Sequence, residues 1–468
     1  MKANFKKILC LILAILFALS VAACGGNGGT SSDDKGSSSQ TSGPIEGQVT
    51  SGGIQEASVD SALIEKSELA NKNYGGKEYQ FYYWYAPNEI TTRKVSEFNK
   101  KHNANVKITV GSSFQEDIAK SIAGGKPYDM IANHARYFPQ TIFANLYEPL
   151  GDYIKDVDYF DSAKPENGGI SKTLNETFTW NGKLYAAGSA KAVYSYAFYY
   201  NKKKYKEDGL EDPYELWKKG EWTWEKMMEQ GRQVTNVAEN ITFLNQIELH
   251  PWLALHGLSY IKKTGENTFA ENLGDKDVVA AINSYKDLQF ADEPIMVWNA
   301  KQLSWYANIT YTDAYTQIAT QVRTSTAFGR KASNLGVVPV PTNQIAGNKY
   351  PTHVAQGYSV ARGAKDPSIA PCYALFESRI SDKDVGSDIQ MPAEIRNAID
   401  DAFANNGFCP VSGFADSEGR YAEETVNRQI GIEIIANGAD VASTLTAQRP
   451  VITAIITAAL SGAQNFKG

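Results

Sequence analysis

The chain has 468 residues and a formal net charge of −6, from 46 basic and 52 acidic side chains. The Lys and Arg residues are dispersed, which argues against a nucleic-acid partner because phosphate neutralisation needs a concentrated basic surface. No apolar run is long enough for a comfortable membrane span, and residues 451–460, at about half the needed length, predict a packed C-terminal helix.

The N-terminus resembles an export signal that ends in a cysteine. Basic residues precede an apolar run at 8–19, and small residues then lead directly to Cys24. This arrangement is similar to a bacterial lipobox, in which the cysteine becomes the lipidated first residue of the mature chain. We predict a signal peptide over 1–23 and a cell-membrane protein that acyl chains hold on the extracellular or periplasmic side. The alternative is a plain cleaved signal with a chance cysteine.

The composition changes after Cys24 and again near Tyr74. Residues 24–73 are rich in Gly, Ser, Thr, Gln and Asp, and such a segment buries too little apolar surface to offset its ordering entropy. We predict a flexible tether with a reach of roughly 40 Å. The remaining chain, from Tyr74 to Gly468, is longer than one core usually organises, so two lobes are expected.

The first part of the folded region alternates strands and helices. Strands are predicted at 77–85, 105–110 and 129–132, with helices at 89–101 and 114–123. This alternation is typical of βαβ units and predicts a mostly parallel sheet.

Later elements are more widely spaced along the chain. An Asn-Gly turn predicts a hairpin over 180–185, and Thr223 is a predicted N-cap for a helix that opens at 224. The other predicted elements are strands at 193–201 and 335–341 and helices at 277–288, 392–403 and 423–436.

The motifs of common enzyme and metal sites are missing from the sequence. There is no Gly-x-Ser-x-Gly elbow, no His-Glu-x-x-His and no phosphate-cradling glycine motif. His250 and His256 are six residues apart, which does not place them on one helix face, so no metal site is expected. Cys372 and Cys409 either form a disulfide or remain buried thiols, and spacing alone does not decide between them. We predict no catalytic residue, no metal and no cofactor.

Six short blocks carry a family resemblance. They are residues 124–131 (GGKPYDMI), 145–150 (NLYEPL), 180–186 (WNGKLYA), 199–202 (YYNK), 220–225 (GEWTWE) and 336–341 (GVVPVP). In this order they resemble the family 1 extracellular solute-binding proteins of ABC importers, which include maltose- and oligosaccharide-binding proteins. The resemblance spans about 77–366 and implies a two-lobed α/β periplasmic-binding-protein fold of type II, with the ligand cleft between the lobes. A Phe-x-x-Gly-Lys-x-Ala-Met block that often precedes the second crossing in this family is replaced by 300–305.

The resemblance also implies a division of the chain and a function. Lobe 1 would hold 74–188 plus 304–340, and lobe 2 would hold 189–303 plus 341–468. The implied function is that of a lipid-anchored, monomeric substrate-binding component of an ABC importer. It would capture an extracellular carbohydrate, an oligosaccharide, by lobe closure and deliver it to a permease pair in the membrane. The alternatives are a secreted glycan hydrolase and a surface sensor or adhesin with the same fold.

Candidate ligand-binding residues follow from the rule that ligands bind at the carboxyl ends of strands in α/β sheets. Aromatic faces stack on a pyranose, and amide and charged side chains bond its hydroxyls. The candidates in lobe 1 are Tyr85, Asn88, Glu89, Ser113, Asn133, His134 and Arg136, and Tyr194 and Tyr196 lie beside the first crossing. The candidates added from the other lobe are His250, Trp252, Trp305, Tyr306, Gln356 and Tyr358.

Overall fold

The structure of the protein is a computed structural model, and it describes about two thirds of the chain. The described residues are 67–84, 86–87, 89–134, 137–138, 140–154, 177–245, 247, 249–265, 267–290, 293–297, 304–312, 332–341, 345, 353–380 and 422–463. The predicted signal peptide, Cys24, most of the tether and the predicted helix at 392–403 lie outside them.

Twelve strands occur in the described part of the chain. They are β1 (Glu78–Tyr83), β2 (Asn105–Val110), β3 (Met130–His134), β4 (Thr179–Trp180), β5 (Lys183–Leu184), β6 (Ala187–Asn201), β7 (Ile241–Leu244), β8 (Ile261–Gly265), β9 (Thr268–Glu271), β10 (Ser304–Thr312), β11 (Leu335–Pro339) and β12 (His353–Ser359).

The same residues contain twelve α-helices. They are α1 (Glu89–His102), α2 (Phe114–Ala123), α3 (Gln140–Phe143), α4 (Gly151–Ile154), α5 (Lys202–Glu207), α6 (Pro213–Lys219), α7 (Trp224–Val234), α8 (Leu249–Leu255), α9 (Lys276–Phe290), α10 (Ile369–Arg379), α11 (Ala422–Ile430) and α12 (Val441–Ala463). A π-helical turn over Gly431–Ala436 extends α11, and short 3₁₀ turns occur at Leu69–Asn71, Val237–Glu239 and Ala332–Asn334. No helix in the described ranges is long and apolar enough to cross a membrane.

Eight strands form one sheet, in the order β2-β1-β3-β12-β6-β10-β7, with β11 also paired to β6. We call β2, β1, β3 and β12 the first half-sheet, and β7, β10 and β11 the second half-sheet. β1 runs parallel to β2 and β3, and β7 runs parallel to β10. The other four pairings, which involve β12 or β6, are antiparallel. The prediction of a mostly parallel sheet therefore holds for the βαβ region and is wrong for the middle of the sheet.

β6 is the strand that both half-sheets share. On one edge its residues from Ala187 to Ser195 pair with β12, and on the other edge its residues from Ser195 onward pair with β10. Ser195 thus pairs with both His353 and Thr312. Because β3 and β10 both run toward this point, the carboxyl edges of the two half-sheets face each other near Ser195.

α1 and α10 pack with an aromatic core in the first half-sheet. The rings of Phe81, Phe98 and Tyr373 meet edge to face at centroid distances of 5.2 to 5.4 Å, an arrangement that the ring quadrupoles favour. Beside them the Lys94 ammonium donates to the Glu377 carboxylate at 3.0 Å, with both side chains almost fully buried. This buried ion pair ties α1 to α10.

The core of the second half-sheet is also aromatic. Phe198 of β6 packs against Trp222 and Phe243, and the Trp222 Nε1 donates to the carbonyl of Pro339 at 3.1 Å. β11 approaches β6 so closely that a Cβ on Gly336 would lie 2.0 Å from the ring of Tyr200. Glycine is therefore required at that position of the 336–341 block.

The return of the chain to the first half-sheet differs from the expected division. β10 (304–312) pairs with β6 and β7, and β11 (335–339) pairs with the last part of β6. β12 (353–359) instead pairs with β3 and with the first part of β6. α10 packs against β12, β6 and β3. This pairing argues against the expected assignment of 304–340 to lobe 1 and of 341–468 to lobe 2, because the chain returns to the first half-sheet only after β11. The remaining lobe boundaries stay a prediction.

Most of the predicted elements within the described residues are confirmed. β2 and α2 have the predicted bounds, and β1, α1 and β3 differ by one to two residues at their ends. Asn181 and Gly182 both have positive φ at the hairpin turn, and the Thr223 Oγ1 caps α7 by accepting from the Lys226 amide at 3.2 Å. Residues 451–460 lie in α12. Cys372 is a fully buried free thiol, so the disulfide alternative is wrong; Cys409 is outside the described residues.

Candidate functional site

The loops that follow β1, β2 and β3 emerge at one edge of the first half-sheet. Tyr83, Val110 and His134 end these strands, and the parallel pairing of β1 with its two neighbours places their carboxyl ends together. This edge faces Ser195 and the carboxyl edge of the second half-sheet. It is therefore the candidate ligand site.

An aromatic cluster joins the three loops. The rings of Phe114 and Tyr137 are stacked with centroids 3.9 Å apart and an interplanar angle of 11°. Trp84 meets Tyr137 edge to face at 5.8 Å, and it is only partly buried. We call Trp84, Phe114 and Tyr137 the edge aromatic cluster. Trp84 and Tyr137 come from the loops after β1 and β3, and Phe114 begins α2. Phe114 and Tyr137 are buried, so Trp84 is the partly exposed ring of the cluster.

Asp117, in the first turn of α2, organises the loop after β2. Its Oδ2 accepts from the Tyr82 hydroxyl at 2.9 Å and from the amides of Ser112 and Ser113 at 3.2 and 3.1 Å. Burial, and then the bond to Asp117, raise the pKa of the Tyr82 hydroxyl, so it stays a neutral donor. The side chains of Ser112 and Ser113 remain exposed.

Asn133 and Gln356 lie where β3 pairs with β12. The Asn133 Nδ2 donates to the Ser359 hydroxyl at 2.9 Å, whereas its buried Oδ1 has no hydrogen-bond partner in the structure. Gln356 pairs with His134 at an irregularity of β12 between Ala355 and Gly357. A bulge of this kind re-aims a side chain at a strand edge. Asn133, Gln356 and Ser113 are thus predicted residues that the structure places at the candidate edge.

Three predicted ligand residues form hydrogen bonds within the protein through their polar atoms, and a fourth is buried. The Trp252 Nε1 donates to the Ala281 carbonyl at 2.8 Å, the Tyr306 hydroxyl to Asp208 at 2.7 Å and the Tyr358 hydroxyl to Glu377 at 2.5 Å. Tyr196 is fully buried in β6. Burial raises the pKa of Tyr358 far above its usual value. These hydrogen bonds argue against ligand contact by Trp252, Tyr306 and Tyr358, whereas the ligand-binding role of Tyr196 stays a prediction.

Trp305 lies at the wrong end of its strand. It pairs with Thr242 near the amino end of β10, whereas the carboxyl end of β10 pairs with Ser195. Seven residues of extended chain separate Trp305 from Thr312, roughly 23 Å. Both Trp305 and its neighbour Tyr306 are therefore remote from the candidate edge, which argues against a ligand-binding role for Trp305.

The other predicted residues are placed only by their backbone or not at all. Glu89 begins α1, His134 ends β3, Tyr194 lies in β6 next to Ser195, and His250 lies in the first turn of α8. Tyr85, Asn88 and Arg136 lie outside the described residues. For these seven residues the ligand-binding role stays a prediction.

None of the three rings of the edge aromatic cluster was predicted, although Phe114 directly follows the predicted Ser113. Trp84 and Tyr137 are direct sequence neighbours of the predicted Tyr85 and Arg136. The strand ends predict the correct loops. They do not predict which side chain of a loop joins the edge aromatic cluster, because the alternation along a strand does not continue into the loop. Gln115, which the rule of strand carboxyl ends also selects after β2, has a buried Nε2 without a hydrogen-bond partner in the structure.

Within the described side chains, no group of three or more His, Cys, Asp or Glu residues is arranged to hold a metal ion. The described part of the candidate edge consists mainly of aromatic rings, hydroxyls and amides. This chemistry suits a ligand with an apolar face and many hydroxyls.

Known proteins share this sequence pattern and architecture. The family profile of bacterial extracellular solute-binding proteins matches residues 86–370. No curated protein sequence is significantly similar to the chain.

Several solved structures share the fold at low sequence identity. The ABC substrate-binding protein Lmo0181 from Listeria monocytogenes, in complex with cycloalternan, has a TM-score of 0.59 and 17% identity, over 80% of this chain and 97% of that chain. The galacto-N-biose-/lacto-N-biose I-binding protein from Bifidobacterium longum, in complex with lacto-N-biose, has a TM-score of 0.58 and 14% identity, over 83% and 99%. UgpB from Mycobacterium tuberculosis, in complex with glycerophosphocholine, has a TM-score of 0.54 and 15% identity, over 82% and 99%.

Proposed function

Because this chain belongs to the family of bacterial extracellular solute-binding proteins, we propose that it serves an ABC importer as its substrate-binding component and that its ligand is an oligosaccharide. The fold is the two-lobed α/β fold predicted from the sequence. The observation that carries the ligand class is the edge aromatic cluster, which lies beside uncharged hydrogen-bonding side chains at the carboxyl edge of the first half-sheet.

The electrostatics of this edge favour a neutral ligand. A bare helix N-terminus attracts anions because its amides and dipole carry partial positive charge. In α2, however, Asp117 lies in the first turn and takes two of the amides at that end. An anionic group would therefore meet a carboxylate there. This argues against a polyol phosphate and supports a sugar.

Ligand capture would be a population shift between two arrangements of the half-sheets. A ligand favours the arrangement in which both carboxyl edges contact it, because only that arrangement supplies contacts from both sides. β6 holds the two regions together during the change, since it pairs with both. Micromolar binding corresponds to about −8 kcal/mol, which a few stacked rings and hydrogen bonds supply after ordering costs. The closed arrangement would be the one that a permease pair recognises.

We propose that the protein binds its ligand without chemical change. A glycosidase needs two carboxyl groups on opposite sides of the scissile bond, one of them with a raised pKa. At the described part of the edge, Asp117 already accepts three hydrogen bonds through Oδ2. Glu116 is exposed and paired with Lys120 at 2.6 Å. Neither carboxylate is placed like a catalytic acid.

The lipid anchor at Cys24 is part of this proposal. The family is extracellular, and a substrate-binding protein must stay near its permease, which two or more acyl chains achieve. Replacement of Cys24→Ser should move the protein from the membrane fraction to the medium or periplasm. Unchanged membrane association would contradict lipidation at this residue.

A ligand panel tests the binding function. The full chain, purified in detergent, would be screened by thermal shift against maltotriose, lacto-N-biose, monosaccharides, peptides and glycerophosphocholine. Stabilisation by a neutral oligosaccharide that is recovered intact would support the proposal. Hydrolysis of the sugar would support the hydrolase instead. Stabilisation only by a phosphodiester or a peptide would contradict the proposed ligand class, and no stabilisation by any compound would favour a sensor or adhesin.

A further inference from the structure

We propose that Asp117 is a positioning residue, which fixes the 111–113 loop in the shape that meets the ligand without contacting the ligand itself. The inference rests on the proposed binding function, because it assigns a role within that site. Three observations carry it: the hydrogen bonds of one carboxylate oxygen, the lack of space at Gly111, and a second Tyr–Asp pair elsewhere in the fold.

The bonds of Asp117 act directly on the loop backbone. Two of its three donors are the amides of Ser112 and Ser113, so the carboxylate fixes the course of the main chain between β2 and α2. The third donor is the Tyr82 hydroxyl, which belongs to β1. The loop is thereby held against a neighbouring strand as well as against its own helix. Charge-assisted bonds of this kind are stronger than neutral ones.

Gly111 completes the arrangement. A Cβ at this position would lie 2.2 Å from the Tyr82 hydroxyl oxygen and 2.3 Å from the Asp117 Oδ2. The backbone of the loop therefore passes directly beside the hydrogen bond between these two groups. Any side chain at 111 would separate Tyr82 from Asp117 and release the loop.

The loop that Asp117 holds is continuous with the candidate site. Phe114, the first residue of α2, directly follows Ser113 and stacks on Tyr137 of the edge aromatic cluster. The side chains of Ser112 and Ser113 are exposed beside it. A shift of this loop would move both the hydroxyls and one ring of the cluster. The oxygen of Asp117 that accepts the three bonds is occupied, which is why we assign it positioning rather than contact.

A second pair in the molecule supplies a matched control. The Tyr200 hydroxyl donates to Asp212 at 2.5 Å, and Asp212 also accepts from the Tyr214 amide at 2.8 Å as the N-cap of α6. The chemistry is the same: a buried tyrosine hydroxyl and a backbone amide share one carboxylate near a helix N-terminus. Tyr200, however, is five residues along β6 from Ser195, roughly 17 Å of extended strand. Asp212 should therefore matter for stability and not for the ligand.

The experiment compares Asp117→Leu and Asp117→Asn with Asp212→Leu and Asp212→Asn in the full chain. Hydrogen exchange, followed by mass spectrometry on peptides that cover 111–117, reports the loop without ligand. Titration calorimetry with maltotriose and lacto-N-biose reports the affinity. We expect Asp117→Leu to speed exchange in the loop and to raise the Kd of the sugar that binds by about tenfold, because it loses three bonds. Asp117→Asn keeps an acceptor oxygen and should change the Kd by less than about threefold. Both Asp212 variants should lower the melting temperature and leave the Kd and the loop exchange unchanged.

Two results would overturn the inference. One is unchanged exchange at 111–117 in Asp117→Leu, and the other is an equal change of Kd in Asp117→Leu and Asp212→Leu. If Asp117→Leu does not fold, Tyr82→Phe removes only one of the three bonds. It should then raise loop exchange and Kd in the same direction by a smaller factor, and no change in either quantity would count against the role. If neither sugar binds the unaltered protein, the ligand assignment fails, while the exchange result still decides whether Asp117 fixes the loop.

Discussion

The two halves of the sheet contain the same bond between a tyrosine and an aspartate, but only one of these bonds lies at the edge where the candidate ligand loops meet. Tyr82–Asp117 lies at the carboxyl edge of the first half-sheet, where the loops after three parallel strands meet. Tyr200–Asp212 lies near the carboxyl end of β6, where Tyr200 pairs with Ala307 in the amino half of β10. One bond therefore shapes a candidate ligand loop, and the other fastens a helix to the core. The comparison teaches that position along the strand, and not the local chemistry, decides which bond serves the site.

The half-sheets also differ in how they bury ionisable groups. The first contains the Lys94–Glu377 ion pair, to which the Tyr358 hydroxyl also donates. The region of the second half-sheet contains His256. This histidine is fully buried and stays neutral, because burial lowers its pKa to about 3. A charged pair and a neutral ring respond differently to substitution and to pH, and each response can be measured.

The largest effect is expected at the ion pair of the first half-sheet. Lys94→Met leaves the Glu377 carboxylate buried without its counter-charge and should lower the free energy of unfolding by about 3–5 kcal/mol. The double variant Lys94→Met with Glu377→Leu should recover part of this loss, because no unpaired charge remains although the Tyr358 hydroxyl loses its acceptor. Urea unfolding of Lys94→Met, Glu377→Leu and the double variant tests the cycle. Equal losses in the single and double variants would show that packing, and not charge, holds α1 to α10.

The next effect concerns Gly336, which lies against Tyr200, and Gly111, which lies against Tyr82. Gly336→Ala would drive a methyl group into the Tyr200 ring and should cost about 3 kcal/mol of stability, the upper end for overpacking. Its ligand affinity should stay unchanged in the folded fraction. Gly111→Ala should weaken ligand binding as well, because it separates Tyr82 from Asp117. Thermal unfolding and calorimetry on the same samples separate the two outcomes, and a loss of affinity in Gly336→Ala would contradict the division of roles.

A smaller effect is expected from acid. The pKa of His256 is lowered to about 3 by burial, whereas an unfolded histidine titrates near 6.5. Because the unfolded chain takes up the proton first, the stability from neutral His256 is complete above about pH 6.5 and declines as the pH falls toward 3. At pH 5 the loss should be about 2 kcal/mol. Burial also lowers the pKa of His102 in the first half-sheet region, so it adds a loss of the same sign.

Two matched variants assign this pH dependence. His256→Gln should flatten the fall in stability between about pH 6.5 and 5, and His102→Gln should flatten it less. Urea midpoints measured at several pH values give both slopes. An unchanged slope in His256→Gln would mean that other groups, and not this histidine, cause the acid sensitivity.

The smallest effect is expected when a single hydroxyl is removed. Tyr200→Phe and Tyr82→Phe should each lower stability by about 1–2 kcal/mol, the usual result when one partner of a buried hydrogen bond is deleted. Only Tyr82→Phe should also weaken ligand binding. Equal ligand affinities of the two variants would remove the functional distinction between the two pairs.

The sequence predicts the first half-sheet well and the return of the chain poorly. β1 to β3 and their helices alternate in the pattern of βαβ units, and their local periodicity is clear. α10 has no such signal, because all its residues from Ile369 to Ser378 are buried and a helix buried on every side has no polar face. β12 (HVAQGYS) contains a glycine and polar residues without alternation. Tertiary pairing, which local sequence does not encode, places both elements.

The candidate site was predictable as a set of loops rather than as a set of side chains. The rule of strand carboxyl ends correctly predicts the positions of Ser113 and Asn133. It does not tell Trp84 from Tyr85, since both follow the end of β1 at Tyr83, where the alternation of the strand stops. In the second half-sheet, Trp252 and Tyr306 have the composition of ligand-binding residues, but their polar atoms bond to Ala281 and Asp208. Aromatic composition alone does not distinguish a core from a cleft.

The late position of β12 has a consequence for how the protein acquires its structure. Asn133 and its hydrogen-bond partner Ser359 are 226 residues apart along the chain. The first half-sheet therefore cannot be completed until almost the whole second half-sheet has left the ribosome. Contacts at such large sequence separation form slowly, because loop closure must precede the pairing. A nascent chain of this protein would remain incompletely folded for much of its synthesis, which is the state in which an unfolded-chain export pathway can accept it.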